Sequence, residues 1–326
     1  MGRGGYMPDL VMHYHFGRTL HKELDERIKY QIKNIYLYDF ANAGPDPFFF
    51  VKFWKSKVNK ESLEFGNYMH NNKTRDFFIE LVDICKENSD MFSYLAGFIG
   101  HYVLDVFAHP YVFHKTGKYI KEHPETLMYR GLHTKLERAM DSFIIKEAYE
   151  TKPSKFKIHK QVLRLKKIDS NLKDSFDKLF SKVFGKNDGY SHVNKSVIDQ
   201  RRFYKYIYDP YGIKQKLLEK IDNGSSSLDF KVLSYYNKEI NDIDIFNLDK
   251  NSWVNPLDDT IKSNDSFFDL FEKALKLGTT LIEIVYDVVF NKKNHDLNKY
   301  FLNLSYLHGL NCEDEREMKY FNNIFN

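Results

Sequence analysis

Cysteine is almost absent from this 326-residue chain: Cys85 and Cys312 are the only two, and neither belongs to a CxxC pair. That excludes zinc-finger chemistry and a disulfide-stapled scaffold, and leaves open at most one bridge between the two thiols. Charge of either sign is nearly balanced, and a net +4 is too small to argue for nucleic acid by itself. Also missing are period-two apolar runs of any length, a glycine-rich phosphate loop, a GxSxG nucleophile elbow and an internal repeat. Those absences argue against sheet-based nucleotide binding and serine-hydrolase chemistry. The first residues, MGRGGYMP, lack the apolar stretch of a secretory leader, so the expected location is cytoplasmic, with secretion after processing left open.

What is present is an ordinary globular composition, 42% hydrophobic and 29% charged, with 28 Phe and 23 Tyr that are mostly packing residues. Helical periodicity recurs from end to end. The predicted fold class is therefore all-α, with a core over residues 7–150 and a helical continuation over 151–326 packed on it as one compact domain.

One stretch stands out. Ser89–Pro110 (SDMFSYLAGFIGHYVLDVFAHP) reads as a helix that is apolar on almost every side, started by Ser89 or Asp90 and stopped by Pro110. It is long enough to cross a membrane, yet Asp and His lie at its centre and no second span accompanies it, so it is expected to be a core helix and not a transmembrane segment. His101, Asp105 and His109 are four apart and form one polar stripe on it. A buried carboxylate between two imidazoles needs compensation, which a bound metal ion or a hydrogen-bonded His–Asp–His stripe would supply.

Other helices are predicted over Met12–Ile35, Glu61–Met69 (ending near His70), Thr74–Cys85, Tyr129–Ala148 and Ser266–Phe290. On the fourth of these, His133, Glu137 and Asp141 share a face. Asp46 falls in a Gly44–Pro47 loop, where flanking prolines predict an extended conformation, and Phe48, Phe49 and Phe50 follow as an apolar rim or as core packing. His114 and His123 lie beside lysines and are expected on the surface. The eleven Lys/Arg against three Asp in Thr151–Lys186 predict a solvated basic face, with attraction of a phosphate-bearing surface as the alternative. Gly185–Asn194 reads as a loop, Val197–Leu218 as a mix of Tyr and basic residues broken at Pro210, Asp222–Leu228 as a linker and the segment after Asn291 as a polar tail.

Taken in chain order, His13, Asp46, His70, His101-x3-Asp105-x3-His109 and His133-x3-Glu137 form a set of residue types that bind zinc. Eight ligands exceed one tetrahedral ion, so two or three ions bridged by a carboxylate fit better. Clusters of that kind serve phosphate-ester hydrolysis.

The stretches MPDLVMH (7–13), GPDPFFF (44–50), YMH ending at His70, YLAGFIGHYVLDVFAHPY (94–111) and HTKLERAMD (133–141) resemble the zinc-dependent phospholipase C family, which shares its all-α fold with P1/S1-type nucleases. The resemblance covers the first half of the chain. It implies a phosphodiesterase acting on phospholipid head groups through a metal-bound hydroxide. It also implies one Zn2+ at His70, His101 and Asp105, with Asp46 as ligand or catalytic base. A second would lie at His109, His133 and Glu137, and a third at His13 with Asp105 bridging. In the secreted phospholipases the processed N-terminal residue completes the third site; here residues precede the motif, which leaves that site to Asp9 or water. The implied partners are a phospholipid or other phosphodiester and, peripherally, a membrane surface. A nuclease of the same fold and a metal-stabilised, non-catalytic binding protein are the alternatives.

Overall fold

The computed structural model describes residues 10–221 and 243–325. Among them are twelve α-helices: α1 (Leu10–Glu23), α2 (Glu26–Gln31), α3 (Ile35–Ala41), α4 (Ser56–Asn71), α5 (Thr74–Glu87), α6 (Phe92–Thr116), α7 (Leu132–Tyr149), α8 (Ile158–Gln161), α9 (Lys173–Phe184), α10 (Gly189–Ile207), α11 (Ile213–Ile221) and α12 (Phe267–Val289). The sheet content of the described residues is one two-residue hairpin, Trp253–Val254 against Lys262–Ser263. The all-α class read from the periodicity is what the chain adopts. The 222–228 linker lies outside the described residues.

The axis of the fold is α6. Every residue of its 25 except Phe107 is buried, because α1, α3, α5, α7 and α12 all pack on it. It is the one helix among the described residues long and apolar enough to cross a membrane, and 94% of its most apolar window is buried inside the protein. A helix apolar all round is then a core helix covered on all sides by other helices. Its longest partner, α12, has a strong apolar face and starts with a capping box. The Ser266 hydroxyl accepts from Asp269 N while the Asp269 carboxylate accepts from Ser266 N.

Several element boundaries differ from the sequence expectation, each for a local reason. The predicted Met12–Ile35 helix is split, because Asp25 accepts from Arg27 N and starts α2 as a new helix. The turn before α6 is capped by Asn88, whose side chain accepts from Asp90 N, and Ser89–Met91 forms a 3-10 turn. Pro110 does not stop α6, which runs on to Thr116. Proline here forfeits one backbone bond to Val106 O and is tolerated because the rest of the helix is held by tertiary packing. Asp46 is not extended; it opens a 3-10 helix, Asp46–Phe50, entered through Pro45 at φ −81°, ψ −9°. Residues 189–194 are the first turns of α10 and not a loop.

The polar tail does more than trail away. Beyond α12 it returns along α6, where His114 Nδ1–H donates to Tyr320 O (3.0 Å), Asn322 N donates to His114 O (2.6 Å) and Ile324 N to Lys115 O (3.0 Å). His114 is consequently buried, against the expectation of a surface loop, while His123 is exposed. Both cysteines are free.

Candidate metal centre

Four helices, α1, α4, α6 and α7, and one 3-10 turn deliver the predicted residues to one place. On α6, His101 Nε2 lies 3.0 Å and His109 Nδ1 3.3 Å from the same oxygen, Asp105 Oδ2. Helix α1 brings His13 Nε2 to 3.2 Å from Asp105 Oδ1, with its ring stacked on His101 at 4.6 Å. Asp46, at the head of its 3-10 turn, puts Oδ1 3.0 Å from His70 Nε2 and Oδ2 3.8 Å from His101 Nδ1. On α7, His133 Nε2 is 2.8 Å from Glu137 Oε1, and His109 Nε2 reaches the same oxygen at 3.6 Å. Side-chain atoms of His13, Asp46 and His101, of His70, His101 and Asp105, and of His109, His133 and Glu137 all lie within 4.8 Å of one another in their respective groups.

The backbone before Asp46 is shaped for this approach. Gly44 has φ +51°, and a Cβ there would fall 2.1 Å from His101 Cδ2. Only glycine gives both the left-handed turn and the space for the imidazole. After Asp46, Phe48 and Phe50 are buried packing residues, as expected of two of the three. Phe49 stacks on His70 at 5.5 Å and lines the cleft in which Asp46, His70, His109, His133 and Glu137 meet, with Asn67 and Leu307 completing its wall.

The donor set fits metal ions better than it fits itself. His70 Nδ1–H donates to Gly66 O and His109 Nδ1–H to Tyr306 O, each at 2.8 Å. In the neutral tautomers so fixed, each Nε2 is a lone pair facing a carboxylate oxygen, an arrangement that needs a cation between. Asp46 Oδ2, Asp105 Oδ2, Glu137 Oε2 and both nitrogens of His101 are buried without a well-directed hydrogen bond. Buried polar atoms left in this state are costly, and several converging on one spot is the signature of an ion site.

The electrostatics say the same. Burial alone would lower the His109 imidazole, but Asp105 and Glu137 outweigh it and push it up to about 9. Burial would raise Asp105, yet His101, His109 and His13 hold it well below the usual carboxylate range. Glu137 is likewise lowered against its burial, mainly by His133. At His101 burial wins, and the imidazole is lowered. The carboxylates demand positive charge that the protein supplies only by holding protons.

All eight predicted residues thus come together, and seven are buried, His133 being the partly exposed one. Asp141, one turn beyond Glu137, joins none of the three groups. It accepts from Val11 N (3.3 Å) and Met12 N (2.9 Å), tying down the start of α1 just before His13. Sequence reasoning missed Gly66 O and Tyr306 O, because a backbone carbonyl leaves no mark in residue type. Asp9 lies outside the described residues. The basic 152–186 stretch spends part of its charge in ion pairs: Lys173 with Asp177, Lys178 with Glu87 and Lys182 with Glu80.

An all-helical chain built around a buried histidine–carboxylate centre has the ligand set of a metal-binding protein. The family model for zinc-dependent phospholipase C matches residues 12–186, more than half the chain and all eight candidate ligands, and the chain belongs to that family. No curated protein and no solved structure matches it.

Proposed function

We propose that this chain is a zinc-dependent phosphodiesterase that releases phospholipid head groups. The observation that carries the reading is the meeting of three ligand groups, two of which share His101, at a cleft also lined by Phe49 and Leu307. His70, His101 and Asp105 would hold one ion, His109, His133 and Glu137 a second, and His13 with Asp46 and His101 a further one. Zinc held there would supply an activated water near neutrality and positive charge for the phosphoryl oxygens. The remaining roles belong to the polypeptide. Gly66 O and Tyr306 O fix the His70 and His109 tautomers. Asp46, 2% exposed and with no hydrogen bond to Oδ2, would accept a proton from the attacking water or serve as a terminal ligand. Phe49 and Leu307 give an apolar seat for a glyceryl or acyl portion.

Contact with a lipid surface has support of its own. Trp54 and Tyr206 are exposed, with Arg202 and Lys214 over their rings at 6.0 and 5.5 Å, and exposed Tyr211, Ile213 and Leu217 lie nearby in sequence. Aromatic and aliphatic side chains mixed with cations suit an anionic membrane interface. The test is to assay zinc-loaded protein on phosphatidylcholine vesicles and on a small chromogenic phosphodiester. Release of phosphorylated head group and diacylglycerol is expected. Turnover of neither substrate would sink the enzyme reading and leave a metal-stabilised binding protein.

A further inference from the structure

One residue outside the 12–186 family match touches both halves of the candidate centre. Tyr306 N donates to His70 O and Tyr306 O accepts from His109 Nδ1–H, each at 2.8 Å. Its ring packs edge-on against His70 at 5.7 Å and His101 at 5.5 Å. We propose that the 304–310 loop is a working part of the metal centre, a positioning element that holds His109 and His70 in their ligating orientations, so that the segment bearing the ligands is not competent without it.

The loop is built to hold that place. Leu304 pairs with Asn311 as an isolated bridge; Ser305 N donates to Leu310 O (2.8 Å) and Gly309 N to Ser305 O (3.0 Å). Inside it, the Ser305 hydroxyl accepts from Leu307 N at 3.1 Å and also contacts Asn71, the residue after His70. Asn255 Nδ2 donates to His308 O at 2.8 Å from a separate segment. Ser305 and Tyr306 are completely or almost completely buried.

Its register on α6 is set by two residues that local rules make unusual. Pro110 has no N–H to offer Val106 O, so the helix leaves that carbonyl short of its usual partner one turn before His109. Gly309, at φ +69°, covers the same carbonyl so closely that a Cβ would fall 2.5 Å from Val106 O and 3.2 Å from Pro110 Cγ. The proline in α6 and the glycine in the loop are complementary surfaces of one contact. It places Tyr306 O where the His109 imidazole needs an acceptor. Partners that orient ligating histidines typically contribute 10- to 100-fold in metal affinity, so about that loss is expected when this contact is displaced.

The test is Gly309→Ala in the full chain, whose added methyl must push the loop off Val106. Zinc affinity is read by competition with a chromophoric chelator, and ligand geometry by the visible spectrum of the cobalt-substituted protein. The expected result is zinc binding weakened about 10- to 100-fold and an altered cobalt spectrum, with the helical circular dichroism retained. Ser305→Ala, which removes a loop hydrogen bond without a clash, carries the test should the first variant fail to fold; it is expected to shift affinity in the same direction by less. Wild-type zinc affinity and cobalt spectrum in the folded variants would overturn the loop's role. The inference rests on the zinc reading of the centre, and the two fail differently: a wild-type chain that binds no zinc defeats that reading, whereas a zinc-binding wild type with unaltered variants defeats only the loop.

Discussion

Replacing Asp46 with Asn separates the two roles the proposed mechanism leaves to this residue. The change keeps the shape of the side chain, so the stacking of Phe49 on His70 at 5.5 Å and the burial of Phe48 and Phe50 should survive. It removes a negative charge 3.0 Å from His70 Nε2 and 3.8 Å from His101 Nδ1, and with it the only unpartnered carboxylate oxygen of the Asp46 turn. As a proton acceptor, Asp46 should be worth about 10²–10⁴ in kcat, or roughly 3–5 kcal/mol in the barrier. As a ligand, it should take an ion with it. Kinetics on a monomeric short-chain phosphatidylcholine and metal content by elemental analysis are measured on the same preparation. Full zinc with turnover down by two or more decades assigns the base, and joint loss of zinc and turnover assigns the ligand. Wild-type turnover with full zinc would refute both roles and the placement of the chemistry beside Asp46.

Two further outcomes follow from the same geometry. His109→Ala should release one ion and lower the thermal midpoint, because Asp105 and Glu137 lose the imidazole they share at 3.3 and 3.6 Å; unchanged metal content and melting would count against the His109, His133 and Glu137 group. Asp141→Ala should cost about 2–4 kcal/mol in chemical denaturation, the worth of two charge-assisted bonds to Val11 N and Met12 N, and should loosen the ion nearest His13 before the others; a variant as stable as wild type would show that α1 does not depend on this anchor.

The candidate site was legible where chemistry sits in side chains at helical spacing. His101, Asp105 and His109 announce a stripe on an apolar helix, and His133 with Glu137 announces its counterpart on α7. The fold class followed from the same periodicity. What escaped was everything carried by the backbone or by tertiary context. Pro110 obeys a rule for isolated helices, and a helix buried on all sides overrides it. The prolines flanking Asp46 predict an extended conformation, yet it opens a 3-10 turn that Gly44 makes possible. Lysines around His114 signalled exposure, and the returning tail buries it. Tyr306 lies 197 residues from His109 and contributes a carbonyl, for which no residue type is diagnostic.

That returning tail also carries a pH dependence that can be isolated from the metal ligands. His308 is 8% exposed, and its Nδ1 accepts from Leu310 N at 3.3 Å, so the fold holds the neutral ring. Burial pushes its pKa down to about 4; Asp314 pulls the other way, and Lys118 and Arg316 add to the lowering. The unfolded chain binds the proton at the ordinary value of about 6.5. Above that value both states are neutral and His308 adds no pH dependence. As pH falls from 6.5 toward 4 the unfolded state takes up a proton that the folded state refuses, and stability drops with it. At pH 5 the difference amounts to about 2 kcal/mol and at pH 4 to about 3 kcal/mol. His308→Asn keeps an acceptor near the Nδ1 position and cannot titrate. Urea unfolding of both proteins with chelator present, at pH 7 and pH 5, should show the wild type losing about 2 kcal/mol more than the variant across that interval. Equal losses would mean that the folded protein accommodates the imidazolium, and that the contact of the 304–310 loop with the helix is looser than its hydrogen bonds indicate.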